Sequence, residues 1–506
     1  MSKRTRSLLI TAVALLAVIG LLAVTLLLPE KAQDAGSDPS SVPQQPSVTL
    51  IDKSADANGN KIERPIERID IALPDETFSV QWNQTDGLRV TAYADLAPNA
   101  VKLGTLVASL ATVTATRLVK AEVQDMSVYG FDGQACAVSV TYHDGTVYAF
   151  ELGAESPGEA GRYLREKDGN DVYLASAYFA ATVTAPSTTY ISPSLIKMPA
   201  TGGEGVAVLR NMELSGALRP QAISLRRALA SDPKALRYTG YLITAPVVRG
   251  MEGTAAKEIS SVLSLTAAAV VCPHPTAQQL QQYGLDDPFS VARYDLAVLV
   301  SKTSADGEQK EEYYHNAQSH TVRLGNKDDN GNYYALVDGI DMVVTLTPSA
   351  VPWAEATFDT LVDPQLFMEM ITDVQRLSLT TAQGTFDFVL THLPDETDRN
   401  KNLTVTCGGQ SYGAADMRKL YQVLMKITRV GPAEGAVPED DPVLTVELTP
   451  VAGSQGSHVK AQLYKISGSR YLCKQANGDT YQVTARTVDH ALGQIENYLS
   501  GQAVTL

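Results

Sequence analysis

Residues 66–82 read IERIDIALPDETFSVQW, and residues 374–390 read VQRLSLTTAQGTFDFVL, with the same pattern. In both stretches polar and apolar residues alternate on each side of a short turn, PDE at 74–76 and AQG at 382–384. A period of two places the apolar side chains on one face of a strand, so each stretch predicts a β-hairpin. The return of this hairpin late in the chain predicts an architecture of repeated units.

A second pair of similar stretches lies in the middle of the chain. Residues 129–133 read YGFDG and residues 283–287 read YGLDD, and β-rich sequence follows each of them. In that following sequence one strand ends at Gly153 and its counterpart ends at Gly325. We therefore expect the two YG tyrosines to occupy equivalent positions, and the two strand-ending glycines likewise.

Apolar residues at helical spacing predict one helix in each unit, over residues 99–113, 254–267 and 414–427. Each unit then consists of a hairpin, a helix and a meander of about four strands. The fold class that follows is α+β: an N-terminal transmembrane helix, then repeated antiparallel β-meander units, each packed with helices. Residues 219–230, in the second unit, are also expected to be helical, with Pro220 in the first turn.

Composition and the starts of the hairpins divide the chain into five segments. They are a transmembrane anchor over 1–30, a flexible linker over 31–62, a first α+β repeat over 63–200, a second over 201–372 and a third over 373–506. Pro, Ser, Asp and Gln dominate the start of the linker, and such a composition cannot bury a core. The third repeat lacks the YG stretch, so we expect it to be degenerate.

Residues 8–28 read LLITAVALLAVIGLLAVTLLL and carry no charge. At about 1.5 Å per residue, a helix of this length spans about 31 Å, close to the hydrocarbon thickness of a bilayer. Lys3, Arg4 and Arg6 precede it, and cations stay on the cytoplasmic side. We therefore expect a single-pass protein of the cell membrane, with a cytoplasmic N-terminus and an extracytoplasmic bulk. A cleaved signal peptide is the alternative, although its apolar core usually has only about 7–15 residues.

The chain carries a formal net charge of −15, and its pI is near 5.0. An acidic surface repels phosphate backbones, so this charge argues against nucleic acid as a partner. The clearest concentration of positive charge outside the N-terminus consists of four arginines: Arg219, Arg226, Arg227 and Arg237. They are the candidate patch for binding an anion or a partner protein, and an ordinary solvated surface is the alternative.

Neither the cysteines nor the acidic loops predict a metal site. Four cysteines lie far apart in the sequence: Cys136, Cys272, Cys407 and Cys473. None has a neighbour at the spacing of zinc ligands, and both two disulfides and four buried thiols remain open. The loops at 56–60 and 328–332 lack the glutamate that an EF-hand requires at its twelfth position, so we expect turns there.

The sequence assigns no catalytic residue and no cofactor, and an enzymatic role is not favoured. The chain contains no phosphate-binding P-loop, no H-E-x-x-H helix and no Rossmann glycine run. Asp286 and Asp287 form the best-placed carboxylate pair for glycoside hydrolysis. Adjacent acidic residues before a proline, here Pro288, are more typical of a turn.

Four stretches of the second unit carry a family resemblance: YGLDDP at 283–288, VRLG at 322–325, GNYYA at 331–335 and MVVTL at 342–346. They resemble the domain-of-unknown-function 4340 family, whose members are membrane-anchored envelope proteins of bacteria. Such proteins are often encoded beside components of ABC-type transporters linked to gliding motility or surface export. The resemblance therefore implies an accessory role, with transporter membrane subunits as partners. No catalytic residues are established for the family, so the resemblance implies none here.

Three functions agree with these observations. The favoured one is a non-catalytic, membrane-tethered extracytoplasmic module that acts as an accessory of an ABC-type transporter or another envelope complex. The second is a module that binds cell-wall polysaccharide, although two Trp residues offer little stacking surface. The third is an envelope hydrolase, which a deep pocket with two convergent acids or a His–acid pair would indicate.

Overall fold

The computed structural model describes residues 47–506, except 84–86, 132, 134, 159, 304–309, 394–395, 399–400, 434 and 439–440. The anchor predicted over residues 8–28 lies outside these described residues. Among the helices that are described, none combines the length and the apolar character that a bilayer crossing requires.

The strands of unit 1 are β1 (Val48–Asp52), β2 (Ile66–Ala72), β3 (Thr77–Asn83), β4 (Gly87–Val90), β5 (Thr112–Ala115), β6 (Arg117–Lys120), β7 (Cys136–Tyr142), β8 (Val147–Glu155), β9 (Gly161–Glu166) and β10 (Val172–Ser176). Its helices are α1 (Ala100–Ala111) and α2 (Ala177–Val183). The short strand β11 (Ser194–Ile196) then leads into unit 2.

The strands of unit 2 are β12 (Val206–Ser215), β13 (Ile223–Arg227), β14 (Tyr241–Ala245), β15 (Arg249–Gly250), β16 (Leu265–Thr266), β17 (Ala269–Pro273), β18 (Ser290–Thr303), β19 (Lys310–Lys327), β20 (Tyr333–Val337) and β21 (Met342–Leu346). Its helices are α3 (Gly253–Ile259), α4 (Ala277–Gln282) and α5 (Phe358–Leu361).

The strands of unit 3 are β22 (Val374–Thr381), β23 (Gly384–His392), β24 (Leu403–Cys407), β25 (Gln410–Tyr412), β26 (Arg429–Pro432), β27 (Leu444–Pro450), β28 (Val459–Ser467), β29 (Arg470–Gln475) and β30 (Thr480–Thr484). Its helices are α6 (Ala414–Met425) and α7 (Ala485–Leu499).

The three large sheets share one antiparallel topology. Their strand orders are β4-β3-β2-β7-β8-β9-β10-β6, then β15-β14-β13-β12-β18-β19-β20-β21-β17, then β25-β24-β23-β22-β27-β28-β29-β30-β26. In each unit the first hairpin strand lies beside a four-stranded meander, and a crossover strand returns to the far edge of the sheet. The predicted repeat of antiparallel sheets, each with a hairpin and a meander, is therefore confirmed, and the third unit has the complete strand order.

The three sheets also share an irregularity. The pairing between the first hairpin strand and the first meander strand shifts register once in each unit: at Ile66/Arg68, at Leu209/Asn211 and at Val374/Arg376. A β-bulge at the same point of three sheets belongs to the common architecture of the units, because a bulge determines how the strand bends and where its side chains point. It also aligns the three units residue by residue.

The predicted equivalence of the YG stretches is confirmed at atomic detail. A Cβ added to Gly153 would lie 2.2 Å from the carbonyl oxygen of Tyr129, and one added to Gly325 would lie 2.1 Å from that of Tyr283. Only glycine allows either strand to approach the preceding turn so closely. The same close backbone contact therefore joins the turn to the second meander strand in units 1 and 2.

Each unit has its own core, in which helices cover one face of the sheet. In unit 1, Leu103 and Leu106 of α1 pack with Ile69 and Ile71 of β2, and all four are nearly inaccessible to solvent. The α1 helix begins where its sequence signal indicates, because the side chain of Asn99 accepts the backbone N–H of Lys102 at 3.3 Å. On the opposite face, units 1 and 2 each add a smaller buried apolar cluster, around Phe131 and Val172 and around Leu285 and Val343. The opposite face of the third sheet carries polar residues, most of which are half-buried or exposed.

Two local predictions are wrong. Residues 219–230 contain the strand β13 where a helix was expected, because Ile223 and Leu225 point into the core while Ser224 and Arg226 alternate with them. The helix expected over 254–267 ends at Ile259, and the chain continues into strand β16.

The expected flexible linker over residues 31–62 extends too far. Its described part contains β1, which pairs with β5 in antiparallel register, Thr49 opposite Thr114. A bridge between Ala55 and Lys61 then closes the following turn. Residues 48–62 therefore belong to the folded part of unit 1.

Candidate functional site at the junction of units 2 and 3

A cleft of about 780 Å³ opens between units 2 and 3. Unit 2 contributes its walls from residues 218–223, 246–247 and 357–359, and unit 3 contributes residues from β26 and from the turn before β30. This volume lies within the range of about 300–1,000 Å³ that is typical of ligand sites. The cleft is therefore the first place to look for chemistry.

An ion-pair network forms the charged wall of this cleft. Arg429, at the start of β26, binds Asp479 with 2.5 Å between Nη2 and Oδ1, and its Nη1 donates to Asp359. Arg249, from β15, approaches the same Asp479, with 3.3 Å between Nη1 and Oδ2. The ring of Tyr481 lies beneath, with its centroid 4.3 Å from the guanidinium carbon of Arg429.

Arg249 ties the two units together through backbone and side-chain acceptors. Its Nη2 donates to the carbonyl oxygens of Asp363 and Gln365 at 3.0 and 2.8 Å, and its Nη1 donates to Oε1 of Gln475 at 2.7 Å. Asn477, in the turn before β30, adds a bond from Nδ2 to the carbonyl oxygen of Val248 at 3.1 Å. The edge strand of one sheet is thus fastened to a hairpin of the next.

Deep burial makes this network a structural lock. Arg249 is 6% exposed, Arg429 is 8% exposed and Asp479 is 2% exposed. Removing one member of a buried ion pair leaves an uncompensated charge, which costs about 3–5 kcal/mol. The charged groups of the cleft therefore bind mainly one another.

A smaller cavity of about 200 Å³ is lined by Arg249 and Glu369. The Ser457 hydroxyl donates to Oε1 of Glu369, and the backbone N–H of Met368 donates to Oε2 at 3.1 Å. Glu369 is only 5% exposed, and burial raises the pKa of its carboxyl group above the ordinary value. It is a titratable group inside the junction.

The structure does not bring the four predicted arginines together on one surface. Arg219 is 7% exposed and lies inside unit 2, where burial lowers its pKa to about 10. Its guanidinium donates to four carbonyl oxygens and one hydroxyl: Ala356, Ser215, Trp353, Ala354 and Ser290. This arginine is committed to holding unit 2 together.

The other three arginines lie at or near strand β13. Arg226 forms a bidentate pair with Asp232, at 2.7 Å for each bond. Arg227 lies opposite Tyr241 of β14, and Arg237 donates across the junction to the side chain of Gln455. All three therefore have partners within the protein, since the side chain of Arg227 also forms a hydrogen bond with Tyr241. Anion binding by this set stays a prediction.

The residues that build the junction carried no signal in the sequence. Arg249 and Arg429 are single charges in short strands, and the Asn477–Asp479 stretch has the composition of an ordinary hairpin turn. Asp286 and Asp287, the carboxylate pair considered for hydrolysis, are exposed in the turn before β18. They do not line the junction cleft.

The sequence holds one further motif, because residues 409–413 read GQSYG and fit the G-x-S-x-G pattern. A nucleophile elbow of that kind places its serine at a sharp turn above a sheet, close to a histidine. Here Ser411 is exposed on the edge strand β25, in register with Thr406. Among the described residues, no hydrogen bond joins it to a histidine, so the motif does not assemble a catalytic triad there.

The described residues contain no group of three or more His, Cys, Asp or Glu side chains arranged to hold a metal ion. In the acidic loops, Oδ1 of Asp56 accepts the N–H groups of Asn58 and Asn60, and Oδ1 of Asp328 accepts those of Asn330 and Asn332. Each carboxylate thus closes its own turn. The four cysteines are free thiols, and burial raises the pKa of Cys136 to about 11.

Comparison with known proteins gives one family. The family described as "Domain of unknown function (DUF4340)" matches residues 82–288 and, a second time, residues 254–442. The starts of the two matches are separated by the same distance along the chain as Gly153 and Gly325, in agreement with the structural repeat. Comparison with curated proteins and with solved structures gave no match. The two family matches together cover well over half of the sequence, and the chain therefore belongs to the DUF4340 family.

Proposed function

We propose that the protein is a non-catalytic binding module, held at the outer surface of a membrane by its apolar segment 8–28. In that position it acts as an accessory of an ABC-type transporter or of another envelope complex. The three units then form an extracytoplasmic body above the membrane, joined to it by the stretch that precedes β1.

One observation supports the non-catalytic part of the proposal more than any other. Both carboxylates in the wall of the junction cleft, Asp359 and Asp479, bind the same guanidinium of Arg429. General acid–base catalysis requires a group that is free to exchange its proton with a substrate. Carboxylates that are engaged in this way hold the units together, and no further Asp, Glu or His is found among the described residues that line the cleft.

A cell-based test separates the binding module from the hydrolase. Asp359→Asn and Ser411→Ala each remove a candidate catalytic group, and Asp359 and Ser411 are both accessible enough for the variants to fold. We expect both variants to complement a deletion strain as well as the wild-type protein does. A variant that is present at normal levels and folded, yet inactive in this assay, would overturn the proposal in favour of an enzyme.

Crosslinking tests the partner. Proteins that copurify with the wild-type chain after crosslinking in intact cells should include membrane subunits of a transporter. A variant with Ala17→Arg, which places a charge in the apolar segment, should lose membrane retention, since this costs about 2.5–3.5 kcal/mol at the centre of a membrane helix. Recovery of wild-type protein as a shortened soluble form would instead identify the segment as a signal peptide.

A further inference from the structure

The open face of the third sheet carries a regular grid of hydrophilic side chains. Register places Thr385 of β23, Thr380 of β22, Thr445 of β27 and Gln462 of β28 in one row. The next row consists of Asp387, Ser378, Glu447 and Lys460. The third row begins with Val389, Arg376 and Thr449.

Together with the first two rows, Arg376 and Thr449 line a shallow depression of about 390 Å³. Adjacent strands lie about 4.8 Å apart, and side chains on one face of a strand recur about every 6.6–6.8 Å. The lining consists of hydroxyl, amide, carboxylate and cationic groups, without an apolar residue. Such a surface can exchange many hydrogen bonds with a ligand that is itself rich in hydroxyl groups.

Arg376 is the residue that distinguishes this face. The shared β-bulge makes it the counterpart of Arg68 in unit 1. Arg68 is neutralised there, since its Nε and Nη2 donate to Asp70 at 2.8 and 2.6 Å, and Nη2 also donates to Ser79 at 2.9 Å. In unit 1 the arginine at this position is therefore paired with a carboxylate of the same sheet, that of Asp70.

In unit 3 the two partners are exchanged between strands. Ser378 stands where unit 1 has Asp70, and Asp387 stands where unit 1 has Ser79. The Ser378 hydroxyl donates to Asp387 at 2.5 Å, and Arg376 takes no part in this hydrogen bond. Within the part of the chain that the structure describes, the exposed Arg376 side chain makes no hydrogen bond and no ion pair.

Unit 2 follows unit 1 in pairing the cations of this face. Arg293 binds Glu213 at 3.1 Å, and Arg323 binds Asp338 at 2.8 Å. Lys460, the other cation of the depression in unit 3, is also occupied, because it binds Glu447 at 3.2 Å. Arg376 thus stands apart as an available guanidinium among hydroxyl groups.

We propose that this face of unit 3 binds a hydroxylated carboxylate of the kind found in acidic polysaccharides. Arg376 takes the carboxylate, because a guanidinium matches its two oxygens with two parallel hydrogen bonds. The hydroxyl, amide and carboxylate groups of the first two rows bind the sugar hydroxyls. Val389, 42% exposed and in register with Arg376, offers an apolar contact to the face of a sugar ring.

The net charge of −15 defines the kind of ligand that fits. A long polyanion is repelled by the protein as a whole, whereas a short acidic oligosaccharide responds mainly to the local groups. The proposal concerns this face alone, and it depends neither on the membrane tether nor on a transporter partner. Failure of one proposal therefore leaves the other standing.

The test uses the purified full-length chain with trigalacturonate as the probe, titrated by calorimetry at low and at high salt. We expect saturable binding that weakens as salt screens the ion pair, and weaker binding of neutral trigalactose. Arg376→Gln should lower the affinity for trigalacturonate about tenfold or more, the effect of losing a charge-assisted hydrogen-bond pair. The matched control Arg68→Gln, at the equivalent position of unit 1, should leave the affinity unchanged.

Four results would overturn the proposal. The first three are an absence of saturable binding by the wild-type chain, equal binding by Arg376→Gln, and equal loss in Arg68→Gln. Inorganic phosphate that competes fully with trigalacturonate at equal concentration would reduce the face to a simple anion contact and contradict the role of the hydroxyl rows. Arg376 is exposed, and the ion pair of Arg68 is partly exposed and contributes about 0–1 kcal/mol. Both variants should therefore unfold close to the wild-type temperature, which shows that affinity and not folding has changed.

Discussion

The two junctions of this molecule join similar units by different means. Between units 1 and 2 the contact is largely apolar, since Leu96, which precedes α1, and Ile191 and Ile196, at the end of unit 1, lie in the core cluster of unit 2. Between units 2 and 3 the contact centres on the buried charges of Arg249, Arg429 and Asp479. A repeated fold thus does not impose a repeated interface, and each junction must be tested by its own chemistry.

The charged junction should show the largest effect of a single substitution. Arg429→Ala leaves Asp479 buried with only the longer contact to Arg249, so we expect a loss of about 3–5 kcal/mol in the free energy of unfolding. Urea denaturation of the full chain, followed by circular dichroism, measures it. Arg293→Ala, which removes an exposed ion pair in unit 2, is the control and should change stability by about 0–1 kcal/mol. Equal losses of stability in the two variants would show that the buried ion pairs of the junction contribute no more than an exposed ion pair does.

The apolar junction should respond nearly as strongly, but without any dependence on salt or pH. Ile196, in β11, is 2% exposed and packs with the core of unit 2. Ile196→Ala should cost about 2–4 kcal/mol, because it removes buried methyl groups and leaves a cavity. Unfolding curves at low and at high salt check this. A strong salt dependence of the loss would mean that charges hold this junction as well.

How far sequence predicts this molecule also differs between its parts. The hairpins at 66–82 and 374–390 and the helices α1 and α6 were predictable, because alternation and helical spacing are local signals. The crossover strands β6, β17 and β26 were not, since strands of four or five residues contain too little pattern. Strand β13 was mistaken for a helix because Arg and Ala around it favour helices, and pairing with β12 and β14 overrides that preference.

The site at the junction of units 2 and 3 could not be predicted from the sequence, for a related reason. Arg249 and Arg429 meet at Asp479 only after the separate sheets of units 2 and 3 have formed, and no local pattern links residues so far apart in the chain. The arginine group at 219–237 was conspicuous because its members are neighbours in sequence. Folding sends Arg219 into the interior of unit 2 and leaves the others near β13. Proximity in sequence is therefore a poor guide to charge clusters in this fold. The arginines of residues 219–237 are neighbours in sequence but separate in space, whereas Arg249, Arg429 and Asp479 are distant in sequence but in contact.

A smaller effect at the charged junction should depend on pH. Burial raises the folded-state pKa of Glu369 above its ordinary value of 4.5, so the folded protein retains a proton that the unfolded chain releases. The stability that this group contributes is present below pH 4.5 and is lost as the pH rises through the folded-state pKa. Glu369→Gln, which stays neutral, should therefore be more stable than wild type at pH 8, and the difference should shrink at pH 4.

Thermal unfolding of the two proteins between pH 4 and pH 8 measures this difference. Glu447→Gln is the matched control, because Glu447 lies on the open face of unit 3, where hydrogen bonds from Lys460 and His458 help to lower its pKa. Its substitution should reduce stability toward neutral pH, the opposite sign. A difference between Glu369→Gln and wild type that does not change with pH would show that folding does not raise the pKa of Glu369.

The smallest effect is expected at the polar rim of the apolar junction. Nε2 of His274 lies 3.3 Å from Oδ1 of Asp95 in unit 1, and the two side chains are 40% and 60% exposed. Exposed pairs of this kind contribute about 0–1 kcal/mol, because water already solvates both groups. The backbone of His274 has a φ of 50°, a conformation that asparagine tolerates, so His274→Asn tests the pair without adding backbone strain. We expect its unfolding midpoint in urea to differ little from wild type, and far less than that of Ile196→Ala. A loss that approaches the apolar substitution would mean that this junction, too, depends on its charges, and the contrast between the two interfaces would disappear.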